Sequence, residues 1–310
     1  MKSNYDIISK AAISTGNVTS GLLNPGQAKQ FLQMTFEATP LGGLVRNVIR
    51  PEKIGEIDKI GIASRMLRKK VENTDDGFRA VPTFGKIEYT TTAVRLPWEI
   101  TEEALRENIE GENFEDVVVS LMTKQVAVDK EDLCLNGDEA ITESDDDYDF
   151  LKINNGWVKQ IAAGGHVLDR ADENDGKMSV DVFYDALKQM PNKYNNGNLR
   201  WLMSPRRKQD WDKYLLDRVI AAGGGITDAI MNSPASVPVV AVPALADDKI
   251  ILTDPQNLVA VHSYSVKIRK STEGEKAIMQ DKRFYVIHFD FDPVIEEPDA
   301  VVMVKELAAL

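Results

Sequence analysis

The longest unbroken hydrophobic pattern runs from Asn113 to Gly137, NFEDVVVSLMTKQVAVDKEDLCLNG, and predicts one helix with both ends marked. Val118, Met122, Val126 and Leu133 fall near one line of that helix, and Phe114, Val117, Leu121, Val128 and Leu135 near another. The apolar surface is wider than a coiled-coil seam and suits a helix packed between layers. Asn113 is placed to cap the first turn, and Glu115 and Asp116 set negative charge beside its exposed N–H groups. Asn136-Gly137 predicts a left-handed stop. At about 1.5 Å per residue this spine is roughly 33 Å long, the width of a small domain.

Before the spine the period shortens. Residues 44–60 alternate apolar and polar side chains and predict strand. Two more strand-like runs, IASRMLRKKV (62–71) and GKIEYTTTAVRL (85–96), flank ENTDDGFRAVPTF and predict a long hairpin. Arg65, Arg68, Lys69 and Lys70 make its first strand basic, while Glu72, Asp75 and Asp76 make its tip acidic. The plain reading is a hairpin kept soluble by its charges. Few large apolar residues are present to bury it, and an isolated hairpin is marginal in water. It is therefore expected to lie against a neighbour, with complementary charge at the contact. Residues 1–30 are polar and broken by Gly16, Gly21, Pro25 and Gly26, which predicts an extended arm. Residues 27–38 predict a short helix whose Phe31, Met34 and Phe36 anchor the arm on other surfaces, those of another subunit included.

Trp98 to Asn108 predicts a short helix capped by Thr101. After the spine, residues 138–150 are acidic and loop-like, and a domain boundary is expected near 137–150. Helix and strand then alternate. Residues 152–165 predict a short helix, Ser179 caps a second, and Ser204-Pro205 opens a third after the strand NLRWLM. Residues 237–242 and 249–254 predict strands. The last sixty residues predict an antiparallel meander of 258–271, 283–295 and 300–307. In its middle run Phe289 and Phe291 face one way and Asp290 and Asp292 the other.

Composition narrows the function classes. At 310 residues the chain has room for two domains, or one with a large insertion. A net charge of −12 argues against a dedicated nucleic-acid binder, although residues 1–50 carry +3 and the remainder −15. No window approaches a membrane span, and the N-terminus lacks the apolar stretch of a secretory signal. Cys134, the sole cysteine, excludes a disulfide framework within the chain and a cysteine zinc cage.

Candidate chemistry is sparse. His166, His262 and His288 are far apart in unlike contexts. Asp145, Asp147 and Asp149 alternate as in a calcium loop, but Phe150 stands where glycine is needed and Gly156 where glutamate is needed. Gly223-Gly224-Gly225 lacks the Gly-Lys-Ser/Thr ending of a phosphate loop. Arg206-Arg207-Lys208 reads as a solvated helix face. No catalytic, cofactor-binding or metal-ligating residue is assigned, and no enzyme activity is expected. Extensions that cannot bury themselves point toward assembly.

The order of parts resembles the major capsid protein of tailed phages, the Hong Kong 97 type. FLQMTFEATPLGGLVRNVI resembles that family's arm leading into its first strand. WEITEEALREN, followed by the spine and its Asn-Gly-Asp turn, resembles its spine entry, and LKINNGWVKQIA the next helix. NLRWLMSPRRKQDWDKYL resembles its strand, Ser-Pro, helix unit, and residues 237–271 with the final strands complete the likeness. The resemblance implies an α+β phage-capsid fold: an N-terminal arm (1–45) and an extended loop (58–92). It further implies a peripheral domain (46–57, 93–136 with spine helix 113–136, and 265–310) and a mixed α/β axial domain (137–264). It also implies a structural protein forming pentamers and hexamers of an icosahedral head shell. That shell would enclose double-stranded DNA without sequence-specific binding, be assembled in the host cytoplasm and become part of the virion. Portal, scaffolding and cement proteins are implied partners, and no membrane is. The arm is short, so scaffolding is expected from a separate protein or a trimmed segment. An encapsulin-type shell of a bacterial nanocompartment, which shares the fold, is the alternative.

Overall fold

In the computed structural model, the described residues are 39–61, 66–69, 72, 75, 77–106, 114–145, 147–171, 176–222, 231–263 and 266–308. The strands β1 (Arg46–Ile49), β2 (Ile54–Gly61), β3 (Thr83–Thr90) and β4 (Thr92–Thr101) lead to helix α1 (Glu102–Arg106) and the spine α2 (Phe114–Asn136). Then follow α3 (Tyr148–Leu151), α4 (Trp157–Gly164), β5 (His166–Asp169), α5 (Val180–Gln189), β6 (Arg200–Met203) and α6 (Pro205–Ala222). The chain closes with β7 (Val239–Ala241), β8 (Ile250–Thr253), β9 (Leu258–His262), β10 (Lys267–Ser271), α7 (Glu275–Gln280), β11 (Lys282–Ile295) and β12 (Val301–Lys305).

Two five-stranded sheets and one hairpin result. In the first sheet β1 lies parallel to β9, β9 and β10 run antiparallel to β11, and β4 also pairs with β11. The second sheet has the order β5-β12-β8-β6-β7. The expected closing meander is therefore divided: β12 leaves the first sheet and pairs with β5 and β8. Its sequence explains the move. VVMVK is apolar at four successive positions, all buried, and such a strand needs both faces covered. In the second sheet Val301 and Met303 face one core and Val302 and Val304 the other.

The spine packs one face on the first sheet. Phe114, Val118, Val119, Val126, Leu133 and Cys134 join a core with Trp98, Ile100, Tyr285 and Phe291. The second expected line follows only at its ends, where Phe114 and Leu135 are buried. Val117, Leu121 and Val128 are exposed, so the helix is covered on one side rather than held between layers. The stop at Gly137 also differs from expectation. Among the described glycines only Gly77, Gly176 and Gly197 have positive φ. Gly137 is required by closeness instead: a Cβ there would lie 2.5 Å from both Asn154 O and Asn154 Oδ1. Asn113 lies outside the described residues.

Trp98 belongs to β4, opposite Tyr285 and stacked on it at 5.2 Å, so α1 starts only at Glu102. Thr101 does cap it, with Ala104 N donating to Thr101 Oγ1. The helix expected over 152–165 is shortened to Trp157–Gly164. Around the second sheet, Phe183 meets Trp201 and Trp211 edge to face at 4.9 and 4.7 Å. Ser204 caps α6 through Arg207 N, while Ser179 occupies the cap position of α5 without a side-chain bond. Arg207 is not on a solvated face. It is buried, and its guanidinium donates to the carbonyl oxygens of Asp247, Leu307 and Ala308, which fixes the C-terminal strand's exit.

Candidate assembly surfaces

The hairpin β2–β3 is set by what lies beneath it. Ile57 and Tyr89 are buried, with Ile87, on Val259, Val261 and Val294 of the first sheet. Alternation places these residues on one face and fixes the register Ile57↔Ile87 and Gly55↔Tyr89. Gly55 is needed here, because a Cβ would approach Tyr89 Oη to 2.6 Å. This pairing shifts the expected hairpin toward the N-terminus. Arg68 and Lys69, expected in its first strand, fall beyond β2 in irregular chain.

Two aspartates of β11 hold the root. The β9 pairing with β11 ends at Val261↔Asp292 and the β10 pairing begins at Lys267↔His288, so Phe289 to Phe291 of β11 pair with neither. Asp290 is fully buried in this stretch, contrary to the alternation read from the sequence. Its carboxylate accepts from Ser263 N at 2.9 Å, from Ser263 Oγ, and from Thr91 Oγ1 at 3.4 Å. Thr90 N donates to Asp292 Oδ2 at 2.7 Å and Thr91 N to Lys53 O at 2.8 Å. Burial raises the Asp292 carboxyl to about 6, with the nearby Glu139 charge adding to it and the Thr90 bond opposing it. Lys59 braces the flank, with Nζ 2.6 Å from Glu297 Oε1 and 3.0 Å from Glu296 O.

Away from the root the other face is bare. Ile60 and Phe84 stand opposite each other and are 71 % and 70 % exposed, and Leu67 beyond them is 100 % exposed. Val81, just before β3, is exposed as well. These residues were not singled out from the sequence, although alternation from buried Ile57 puts Ile60 on the opposite face. Of the charged residues expected at the contact, Arg65, Lys70 and Asp76 lie outside the described residues. Lys69 and Glu72 are exposed. Arg68 lays its guanidinium over the Phe78 ring at 3.8 Å. Asp75 pairs with Arg79 at 2.6 Å and accepts from Gly77 N, and the Arg79 contact holds its carboxyl below the usual range. Part of the acidic tip is thus neutralised within the loop.

The arm's described end is gripped by the spine. Glu131 Oε2 accepts from Leu41 N and Gly42 N at 3.2 Å each, and Thr39 also bonds its side chain. Phe31, Met34 and Phe36 lie outside the described residues. At the spine's other end, buried Glu115 meets Arg283 at 2.8 Å and also Lys270 and the Tyr285 hydroxyl, while Arg283 forks onto Glu102. Cys134 is buried, and burial pushes its thiol up to about 12, as for a packing residue. Among the described residues no cluster of His, Cys, Asp or Glu suited to a metal is present, and no helix is long and apolar enough to cross a membrane.

Comparison with known proteins agrees with this geometry. No family model matches the chain. It is 29 % identical over 324 residues to the Bacillus subtilis (strain 168) protein "Putative prophage capsid protein YqbE", covering 98 % of this chain and 99 % of that one. A chain of the satellite phage P4 procapsid superimposes with a TM-score of 0.68 at 16 % identity, over 92 % of both chains. The SrpI encapsulin of Synechococcus elongatus PCC 7942 gives 0.58 at 11 % identity, over 94 % of this chain and 93 % of that one. The mixed α+β fold is that of phage capsid proteins, and the resemblance to tailed-phage major capsid proteins stands.

Proposed function

We propose that this chain is a shell-forming major capsid protein of a tailed phage, of the Hong Kong 97 type. Its copies form pentamers and hexamers that tile an icosahedral head around double-stranded DNA, and it acts structurally rather than as an enzyme. The carrying observation is the hairpin. One face is anchored on the first sheet, and the other presents Ile60 and Phe84 to solvent in a fold shared with capsid proteins. A second copy that covers this face gives heterologous contacts, which close into rings.

In this reading 1–45 is the arm, 58–92 the extended loop, 46–57, 93–136 and 265–310 the peripheral domain, and 137–264 the axial domain. Two strands are exchanged between these parts in the sheets, β12 pairing with β8 and β9 with β11. Arg65, Arg68, Lys69, Lys70, Glu72, Asp75 and Asp76 supply the loop's charges for the inter-subunit contact. Portal, scaffolding and cement proteins are the expected partners, with assembly in the host cytoplasm and a final place in the virion. The encapsulin-type compartment is the second reading, favoured by the SrpI likeness. Particle contents separate them: protein cargo for a compartment, DNA for a phage head.

Purified at high concentration, the protein is expected to form capsomers or shells visible by negative-stain microscopy. A strictly monomeric peak across salt and concentration overturns the shell reading.

A further inference from the structure

Asparagine precedes glycine at Asn136-Gly137, Asn155-Gly156 and Asn196-Gly197. A glycine in that place leaves its own backbone nitrogen uncovered, because no Cβ stands beside it. That nitrogen can attack the asparagine side-chain amide when its N–H is unpaired and the side chain is free to turn onto it. The fold treats the pairs differently.

At the end of the spine Gly137 N donates to Leu133 O at 3.1 Å. Asn136 Nδ2 donates to Asp132 Oδ1 at 2.7 Å and to Ala244 O at 2.6 Å. Before α4, Gly156 N donates to Gly137 O at 2.8 Å. Glu139 holds the Asn155 amide by both ends: Nδ2 donates to Glu139 Oε2 at 2.8 Å, and Oδ1 accepts from Glu139 N at 3.1 Å. Neither side chain can turn without losing hydrogen bonds. The remaining pair lies in the turn between α5 and β6, where Asn195 to Asn198 are all exposed. Gly197 has φ +52°, and a Cβ there would meet open space. Among the described residues neither Gly197 N nor Asn196 Nδ2 donates a hydrogen bond, and the Asn196 amide is held only through Oδ1, by Asn198 N at 3.3 Å.

We propose that Asn196 is a site of spontaneous deamidation in the folded protein, and that the fold protects Asn136 and Asn155. Gly197 N gives up its proton and bonds to Asn196 Cγ, closing a five-membered succinimide. The Cγ–Nδ2 bond breaks, and Nδ2 leaves as ammonia with that proton. Water then opens the ring at either carbonyl, leaving aspartate or isoaspartate. Each conversion adds one negative charge to the turn that leads into β6, and isoaspartate also lengthens its backbone.

Peptide mapping by mass spectrometry tests this on the full chain aged in mildly alkaline buffer. The tryptic peptide 194–200 is expected to turn acidic faster than 131–152 and 153–159 by roughly tenfold or more, because the protected pairs react only when their hydrogen bonds open. In urea the rates are expected to converge. Equal rates in the folded protein, an unmodified Asn196, or rates that stay as far apart in urea overturn the proposal. Asn196→Gln is expected to remove most of the isoaspartate that a protein-isoaspartate methyltransferase labels in the aged chain. A label undiminished in that variant also overturns it.

Discussion

Lys130 reaches from the spine toward the first sheet and brings Nζ to 3.1 Å from His262 Nε2. His262 Nδ1 lies 2.8 Å from the Asp290 carbonyl oxygen, which only accepts, so Nδ1 carries the proton and Nε2 accepts from Lys130. Burial first and the Lys130 charge second push His262 down to about 4. A base whose folded value lies below its unfolded 6.5 adds stability that is complete above pH 6.5 and fades as pH falls through 4. The loss is about 3 kcal/mol. Asp292 acts in the opposite sense. Raised to about 6, it favours folding below its unfolded value and withdraws that support as pH rises through 6. Urea melts across pH are expected to show His262→Gln flattening the decline between pH 6.5 and 4. Asp292→Asn, which keeps an acceptor for Thr90 N, is expected to gain about 1–3 kcal/mol above pH 6 and nothing below pH 4. Equal shifts at all pH values would show that neither group titrates within the fold.

The hairpin separates two kinds of contact. Its charged tip is partly satisfied internally through Asp75–Arg79, whereas Ile60 and Phe84 are about 70 % exposed among the described residues. Exposed ion pairs contribute about 0–1 kcal/mol each, while a large apolar side chain contributes about 1.5–3 when covered. Ile60→Ser with Phe84→Ser is therefore expected to reduce shell yield more than charge reversal at Arg68, Lys69 and Lys70. Thermal stability of the unassembled subunit should be unchanged, because both side chains already face water. A charge-reversed variant that fails to assemble while the serine pair assembles normally would reverse this ranking. The same elements mark how far periodicity reaches. The spine, the Ser204-Pro205 helix start and the apolar strands were legible because each rests on local spacing or a local cap. Asp290 was not, because its buried carboxylate is satisfied by Ser263 and Thr91, partners distant in sequence that only the folded chain brings to it. The exposure of Val117, Leu121 and Val128 was hidden for a related reason: spacing defines a helix face but not what covers it. Ile60 was legible in principle, being one residue out of phase with the buried side of its strand.

Copies of a chain with a net charge of −12 repel one another at long range, whatever their contacts. Two driving forces for association then respond oppositely to salt. If complementary charges on the hairpin supply the attraction, screening weakens the assembly. If apolar cover of Ile60, Phe84 and Leu67 supplies it, screening removes the repulsion and leaves the attraction intact. The Debye length shrinks from about 30 Å at 0.01 M to about 8 Å at 0.15 M, so the long-range repulsion fades well before any contact is disturbed. Assembly yield, followed by light scattering and sedimentation, is expected to rise over that interval and to hold at higher salt. A yield that falls steadily with salt would assign the shell contacts to the charged tip and reduce the apolar pair to a bystander.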